Sequence, residues 1–334
     1  MKNKNILVTG AGGFIGSNLM EELLKKGYKV RALLKKGEST KNILNFIKNP
    51  NLEIVRGDLR DKRLTKKICK NIGIIYHLAA KTDLSTDNYR SYYLNNVIAT
   101  KNLVESSEKN IIRFIYFSSI LAVGLPNTSK LLDEKYIGTT SSFYGKSKKE
   151  AEEYLVSEYR RRKFPVVIFR PSTVYGPKEV AVQYLLFKVI KEHKFLMIGN
   201  GKNLNSYVYV KNVVGACLKV LNYKKVLGEI YFICDERPYK LDEIIKTICK
   251  ISKTKLLPIN VPYFIAYSGS FFYSKLCKLI GLKALIYPSR VNTIVLNYAY
   301  SIKKAKIDFN YDPKYSLSAG VSETYEWYKN NNYL

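Results

Sequence analysis

The chain opens on a short apolar run followed at once by three evenly spaced glycines: Ile6-Leu7-Val8, then Gly10, Gly13 and Gly16. An apolar run this short, closed by a turn, reads as a buried parallel strand. Leu19, Met20, Leu23 and Leu24 follow at helical spacing up to Gly27, so Phe14 and Ile15 fall in the first turn of a helix. Strand, glycine turn and helix form the opening of a dinucleotide-binding βαβ unit. Gly10 permits the tight turn, Gly13 lets a pyrophosphate approach the backbone, and Gly16 lets the helix lie close to the strand. The free N–H groups of the first helical turn then face the phosphates.

The second strand is expected over Tyr28–Leu34, and a carboxylate that grips the ribose hydroxyls of NAD belongs about 20 residues past the first glycine. Arg31 stands there instead, with Lys35 and Lys36 beyond it and no Asp or Glu from Tyr28 to Gly37. A guanidinium holds a 2′-phosphate with two parallel hydrogen bonds, where a carboxylate would repel it. NADP is therefore expected over NAD, with Arg31 and Lys35 as its ligands.

Strands and helices alternate along the first half. Leu52–Arg56 reads as a third strand ending in Gly57-Asp58-Leu59, and Ile72–His77 as a fourth ending in Leu78-Ala79-Ala80. A long helix is expected from Asp87 to Lys109, a fifth strand over Ile111–Ser118, a helix over Ser142–Lys163 and a sixth strand over Val166–Arg170. Such alternation implies an α/β fold: a doubly wound, parallel Rossmann sheet with right-handed crossovers. The nucleotide domain is expected to occupy residues 1–170. A smaller, partly interwoven C-terminal substrate region takes 171–334, with a strand near Ile230–Ile233 returning to the sheet. Every candidate motif follows a strand end or opens a helix, where ligands bind in sheets of this kind.

Charge and cysteines limit the partners. The net charge of +29 arises from 56 basic against 27 acidic residues. Most of the basic residues are lysine, spread along the whole length, which reads as a compositional bias and not as a nucleic-acid-binding stripe. The densest cluster, Arg160-Arg161-Arg162-Lys163, sits at a helix end, where cations suit the dipole. No specific nucleic-acid partner is expected; a small-molecule substrate is, and a homodimer and a weak membrane-surface association stay open. The five cysteines are scattered without metal-ligand spacing, and no leading apolar run resembles a signal peptide, so a cytoplasmic protein with reduced thiols and no metal is expected.

Tyr144 and Lys148 lie four residues apart on a predicted helix, hence on one face. A free tyrosine titrates near pH ~10, too high for a base at neutral pH. A neighbouring ammonium and a positive nicotinamide both favour the phenolate, and the tyrosine then exchanges a proton with a hydroxyl or carbonyl as hydride moves. Ser119, at a strand end, is placed to hydrogen-bond the same oxygen.

These features together resemble the extended short-chain dehydrogenase/reductases, also called the NAD-dependent epimerase/dehydratase family. The resemblance rests on Thr9-Gly10-x-x-Gly13-Phe14-Ile15-Gly16, Gly57-Asp58-Leu59, His77-Leu78-Ala79-Ala80 and Asn96-Val97-x-x-Thr100-x-Asn102-Leu103. It continues through Ser118-Ser119, Tyr144-x-x-x-Lys148 and Arg170-Pro171-Ser172-Thr173-Val174-Tyr175-Gly176-Pro177. It implies Asp58 and Leu59 beside the adenine and Ala79 and Ala80 beside the cofactor's central ribose. Ser119, Tyr144 and Lys148 take the catalytic positions, with Ser118 the alternative serine and Asn96 in support.

Nucleotide-sugar epimerases of that family usually carry an arginine-aspartate pair before an aromatic-rich strand. Here the stretch reads Asn205-Ser206-Tyr207-Val208-Tyr209-Val210, and Ser172 and Thr173 stand where many of those enzymes use asparagine. Arg31 and the loop Ser118–Gly124 look instead like the branch of dihydroflavonol reductases and 3β-hydroxysteroid dehydrogenases. The expectation is an NADP-preferring oxidoreductase acting on a carbonyl or secondary alcohol of a fairly apolar or ring-shaped substrate. A nucleotide-sugar epimerase or dehydratase is the alternative, and a non-catalytic NADP-binding regulator the alternative of another class. The apolar stretch Val261–Tyr287, whose only charges are Lys275, Lys278 and Lys283, leaves three readings: core packing, a flap over an apolar substrate, or an interfacial membrane anchor.

Overall fold

A computed structural model describes residues 5–83, 88–107, 111–257, 259–282, 284 and 287–334. The first half runs β1 (Asn5–Thr9), α1 (Phe14–Lys25), β2 (Val30–Leu34), β3 (Leu52–Arg56), α2 (Lys62–Cys69) and β4 (Ile72–His77). It continues with α3 (Tyr89–Tyr92), α4 (Ala99–Ser106), β5 (Arg113–Phe117), β6 (Thr128–Leu132), α5 (Phe143–Arg162) and β7 (Val166–Pro171). After it come β8 (Thr173–Tyr175), α6 (Val182–Lys191), β9 (Met197–Ile198), β10 (Leu204–Asn205), β11 (Tyr207–Tyr209) and α7 (Val210–Lys219). The chain closes through β12 (Ile230–Ile233), β13 (Tyr239–Lys240), α8 (Leu241–Ser252), β14 (Asn260–Val261), α9 (Tyr263–Leu279), α10 (Pro288–Val295), β15 (Tyr298–Tyr300), α11 (Lys303–Phe309) and α12 (Leu317–Asn330).

Seven strands form one sheet in the order β12-β7-β5-β4-β1-β2-β3, every pair parallel. The order reverses direction between β1 and β4, the switch point where a crevice opens beyond the carboxyl ends. Alternation along each strand feeds two cores. Ile6, Val8, Ile74, Tyr76, Ile115 and Phe117 point into one layer, and Leu7, Ile75, Phe114 and Tyr116 into the other. This is why the strands read as unbroken apolar runs: both faces are covered by helices.

The two halves interweave. Strand β12 returns from the second half to extend the sheet beside β7. In the other direction, β6 from the first half pairs with β15 in a four-stranded sheet of order β13-β10-β15-β6. A third apolar cluster, with Phe187, Ile244, Ile248, Val321 and Tyr328, packs α6, α8 and α12 together. Among the described residues no helix is long and apolar enough to cross a membrane. All five cysteines are buried and unbridged.

The expected helix from Asp87 to Lys109 is interrupted: α3 and α4 are joined through a π-helical turn, Tyr93–Ile98, while Asp87 and Lys109 lie outside the described residues. Such π turns insert one extra residue per turn and occur mostly at functional sites. This one carries Asn96.

Candidate active site

The glycine turn is built as its sequence requires. Gly10 has φ +69°, and a Cβ there would lie 2.9 Å from the backbone nitrogen of Ala79. A Cβ on Gly16 would lie 2.1 Å from the Gly10 carbonyl oxygen, so only glycine lets α1 start this close to β1. Gly13 caps α1 in an extended conformation, and no side chain occupies the helix's first N–H groups. The dipole and these donors fit a pyrophosphate. Phe14 and Ile15, in the first turn, are half-buried and pack on the third apolar cluster.

The remaining expected ligands follow the ends of neighbouring strands. Past β3, Leu59 is buried and its carbonyl accepts from Asn102 Nδ2 at 3.0 Å, while Arg60 pairs with Asp58 at 2.5–3.0 Å and holds that carboxyl below its ordinary range. Past β4, the Ala79 N–H donates to Thr9 Oγ1 at 3.2 Å, and Ala80 follows half-exposed.

Arg31 makes contacts within the fold itself. It is the second residue of β2, three short of the strand's carboxyl end, and its guanidinium turns to the sheet edge. There Nε donates to Glu53 Oε2 at 2.7 Å, and Nη1 donates to the carbonyls of Ile68 and Lys70 at 2.8 and 3.0 Å. Arg31 therefore clamps β2, β3 and the end of α2. Past the end of β2 stand Lys35 and Glu38. Glu38 Oε2 accepts from the Lys35 N–H at 2.7 Å, and a Cβ placed on Gly12 would lie 2.7 Å from Glu38 Oε1. The carboxylate thus reaches the glycine turn. Glu38 lies one residue past the stretch Tyr28–Gly37, which holds no acid.

At the sheet centre Ser119, Tyr144 and Lys148 converge. Ser119 follows β5 in extended conformation, and its Oγ accepts from the Leu121 N–H at 3.1 Å while hydrogen-bonding the Tyr144 phenol. Ser118 is buried and its hydroxyl has no partner among the described residues, so Ser119 is the serine that meets Tyr144. Ser142 caps α5, its Oγ accepting from the Gly145 N–H at 3.0 Å, which fixes where Tyr144 enters the site. Lys148 Nζ donates to the Phe117 carbonyl at 2.6 Å and stands 5.8 Å from the Tyr144 ring centre.

Burial pushes the Tyr144 phenol up to about 12, against the opposing Ser119 hydrogen bond. It pulls the Lys148 ammonium down to about 7, against the attraction of Glu152. Desolvation leads the Tyr144 shift, and the Ser119 hydrogen bond is the contact that opposes it.

A buried polar chain braces this site. His77 Nε2 lies 2.9 Å from Thr100 Oγ1, which itself donates to the Asn96 carbonyl at 2.6 Å. That hydroxyl's proton being committed, His77 Nε2 carries the hydrogen and Nδ1 accepts from Thr9 Oγ1 at 2.8 Å. Burial pulls His77 down to about 3, with the Lys148 charge adding to the shift, so the imidazole stays neutral. Asn96 continues the chain: its Nδ2 donates to Ser147 Oγ at 2.9 Å, and Ser147 Oγ donates to the Tyr144 carbonyl at 2.7 Å. The π turn sets Asn96 at this junction, joining the β1 and β4 ends to the catalytic helix.

The sequence model of the NAD dependent epimerase/dehydratase family matches residues 6–234. The chain belongs to this family. It is 30% identical to a dTDP-D-glucose 4,6-dehydratase of Dictyostelium discoideum, covering 98% of this chain and 82% of that one. It is 27% identical to a 3-beta-hydroxysteroid dehydrogenase of Mycolicibacterium neoaurum, covering 97% and 91%. The fold matches the crystal structure of a UDP-glucuronic acid 4-epimerase from Bacillus cereus in complex with NAD, with a TM-score of 0.80, 25% identity and coverage of 98% and 99%.

The chain is thus an enzyme of an NAD-dependent family, and its glycine cradle and Ser119-Tyr144-Lys148 cluster fit that cofactor. A bound nicotinamide supplies a hydride acceptor or donor. The protein supplies the rest. Gly10, Gly13 and the α1 terminus would hold the pyrophosphate, Tyr144 would give or take the proton at the substrate oxygen, and Ser119 would orient that oxygen and the phenol. Lys148, where protonated, would favour the phenolate when a proton is to be taken.

Proposed function

We propose that this enzyme interconverts a carbonyl and a secondary alcohol on a fairly apolar, ring-shaped substrate in the cytoplasm, exchanging its cofactor at each turnover. The observation that carries this reading is the character of residues 205 and 206. Asn205 and Ser206 are buried and uncharged, and both are spent on structure. Asn205 Nδ2 donates to the Asn203 carbonyl at 3.1 Å, and Ser206 Oγ accepts from the Tyr300 N–H at 3.0 Å. The place where a nucleotide-sugar enzyme would offer charge to a diphosphate holds neither a cation nor a carboxylate. The neutral Tyr144 phenol suits proton delivery to a carbonyl.

For the cofactor, the position of Glu38 supports NAD(H) over NADP(H). Ribose hydroxyls donate to a carboxylate, whereas a 2′-phosphate would meet its charge. Arg56, the nearest guanidinium from β3, is spent on backbone, donating to the Glu38 carbonyl at 2.9 Å. The NADP preference expected from Arg31 loses its support with that residue's contacts within the fold.

The experiment is a turnover assay with both cofactors over ketosteroid-like ketones and nucleotide sugars. One cofactor oxidised per carbonyl reduced, with NADH preferred, is the expected result. Protein that retains its dinucleotide and interconverts sugar epimers without added NADH would establish the nucleotide-sugar reading, which the identity to a dTDP-glucose dehydratase favours. Equal or tighter NADP binding would remove the role given to Glu38.

A further inference from the structure

Helix α9 is docked with its small side inward. Only Ser270 and Cys277 in it are buried, and Ala266 and Ser274 complete the inward stripe at helical spacing. The large apolar residues all face away. Ile265, Phe272 and Leu279 repeat every seven residues along the outer face, 50%, 69% and 83% exposed, with Phe264 and Leu276 beside them. A surface helix normally buries its apolar stripe and shows its polar one. Here the arrangement is reversed, and the apolar surface continues into Ile280 and Leu282. The three readings left open by the sequence narrow accordingly, since the large side chains of α9 are not core.

The stretch of chain that carries this face has one sign of charge. No Asp or Glu occurs between Glu243 and Asp308, a span that holds Lys253, Lys255, Lys275, Lys278 and Arg290. The Lys275 ammonium sits 4.6 Å from the Phe271 ring centre, its stem laid along the helix. Aromatic and aliphatic side chains fringed only by cations are complementary to the headgroup boundary of an anionic bilayer. The helix packs on α10, and Asn203 Nδ2 donates to the carbonyls of Ile294 and Leu296 at its end, at 2.9 and 3.1 Å. The face is therefore tied to the strands of the substrate half.

We propose that the outer face of α9 is a membrane-docking surface that lies in the interface of an anionic bilayer without crossing it. This goes beyond the catalytic reading and does not depend on it, because vesicle binding needs neither cofactor nor turnover. The full-length protein is mixed with phosphatidylcholine vesicles that contain or lack phosphatidylglycerol, and bound protein is measured by flotation at low and high salt. Binding to the phosphatidylglycerol vesicles, weakened by salt, is expected, and the triple variant Ile265→Ser, Phe272→Ser, Leu279→Ser should lower it at least about tenfold. These positions are exposed, and an unchanged melting temperature shows that the variant folds. As a second readout, Phe272→Trp should shift its emission to the blue only with anionic vesicles. Unchanged binding in the triple variant overturns the proposal. So does a wild-type dimer in solution that the triple substitution dissociates while vesicles bind neither form, which would make a second copy the occupant.

Discussion

Arg170 and Glu152 form a buried bidentate pair behind Lys148, and breaking it tests how the site is held. Arg170 lies near the end of β7 and Glu152 one turn beyond Lys148 on α5. Nε meets Oε1 at 2.9 Å and Nη2 meets Oε2 at 2.6 Å, with side chains only 8% and 4% exposed. Solvent therefore does not screen the pair. Arg170→Leu leaves the carboxylate buried without its partner, a loss of about 3–5 kcal/mol. For 334 residues at about 2.1 cal/mol/K each, the unfolding entropy is about 0.7 kcal/mol/K, so Tm should fall by about 4–7 °C. Removing both charges with Glu152→Leu and Arg170→Leu should lose less than Arg170→Leu alone, because no unpaired charge remains. Urea unfolding at neutral pH, followed by circular dichroism and by Trp327 fluorescence, gives the free energies and shows whether the transition is two-state. A loss below about 1 kcal/mol for Arg170→Leu, or a double variant as damaged as the sum of the singles, would refute the reasoning.

Three further outcomes follow from the site. Tyr144→Phe should leave cofactor affinity nearly unchanged by calorimetry while turnover falls about 10²–10⁴-fold; near-normal turnover would mean another group moves the proton. Gly16→Ala places a Cβ 2.1 Å from the Gly10 oxygen, so α1 must shift; a loss of about 1–3 kcal/mol and of dinucleotide binding is expected in melting and titration experiments. Lys148, held near 7 when folded against 10.5 when unfolded, binds fewer protons in the folded state between those values. Stability should therefore rise with pH from about 7 towards 10.5, and denaturant titrations should show Lys148→Met flattening that rise.

What could be read from the sequence was whatever local chemistry dictates. Ile6-Leu7-Val8 and the glycines specify a strand, a turn and a helix through φ, Cβ sterics and periodicity, and all three are present. Tyr144 and Lys148 share a helix face because four residues make about one turn. Arg31 shows the limit. Distance along the chain placed it near the ribose, but strand alternation and the edge strand's Glu53 decide where its side chain goes. Glu38 was hidden for the converse reason, since a loop that folds back brings a later residue to the turn. The chain from Thr9 through His77 to Thr100 joins residues 68 and 23 positions apart, and no local rule couples them.

The return of β12 to the sheet has a consequence during synthesis. Once β7 has left the ribosome, Val166–Pro171 has β5 on one side and nothing on the other until Ile230–Ile233 is made and released. At about 5–20 residues per second, the stretch between them keeps that edge open for roughly 3–12 s. An apolar strand with free N–H and C=O groups is a template for any other extended chain, including a neighbouring nascent copy. The nucleotide-binding half, although its motifs all come early, is not a closed unit until β12, well inside the second half, is synthesised. A stalled or truncated product ending before Ile230 would carry the whole glycine cradle and still be the form most prone to aggregate.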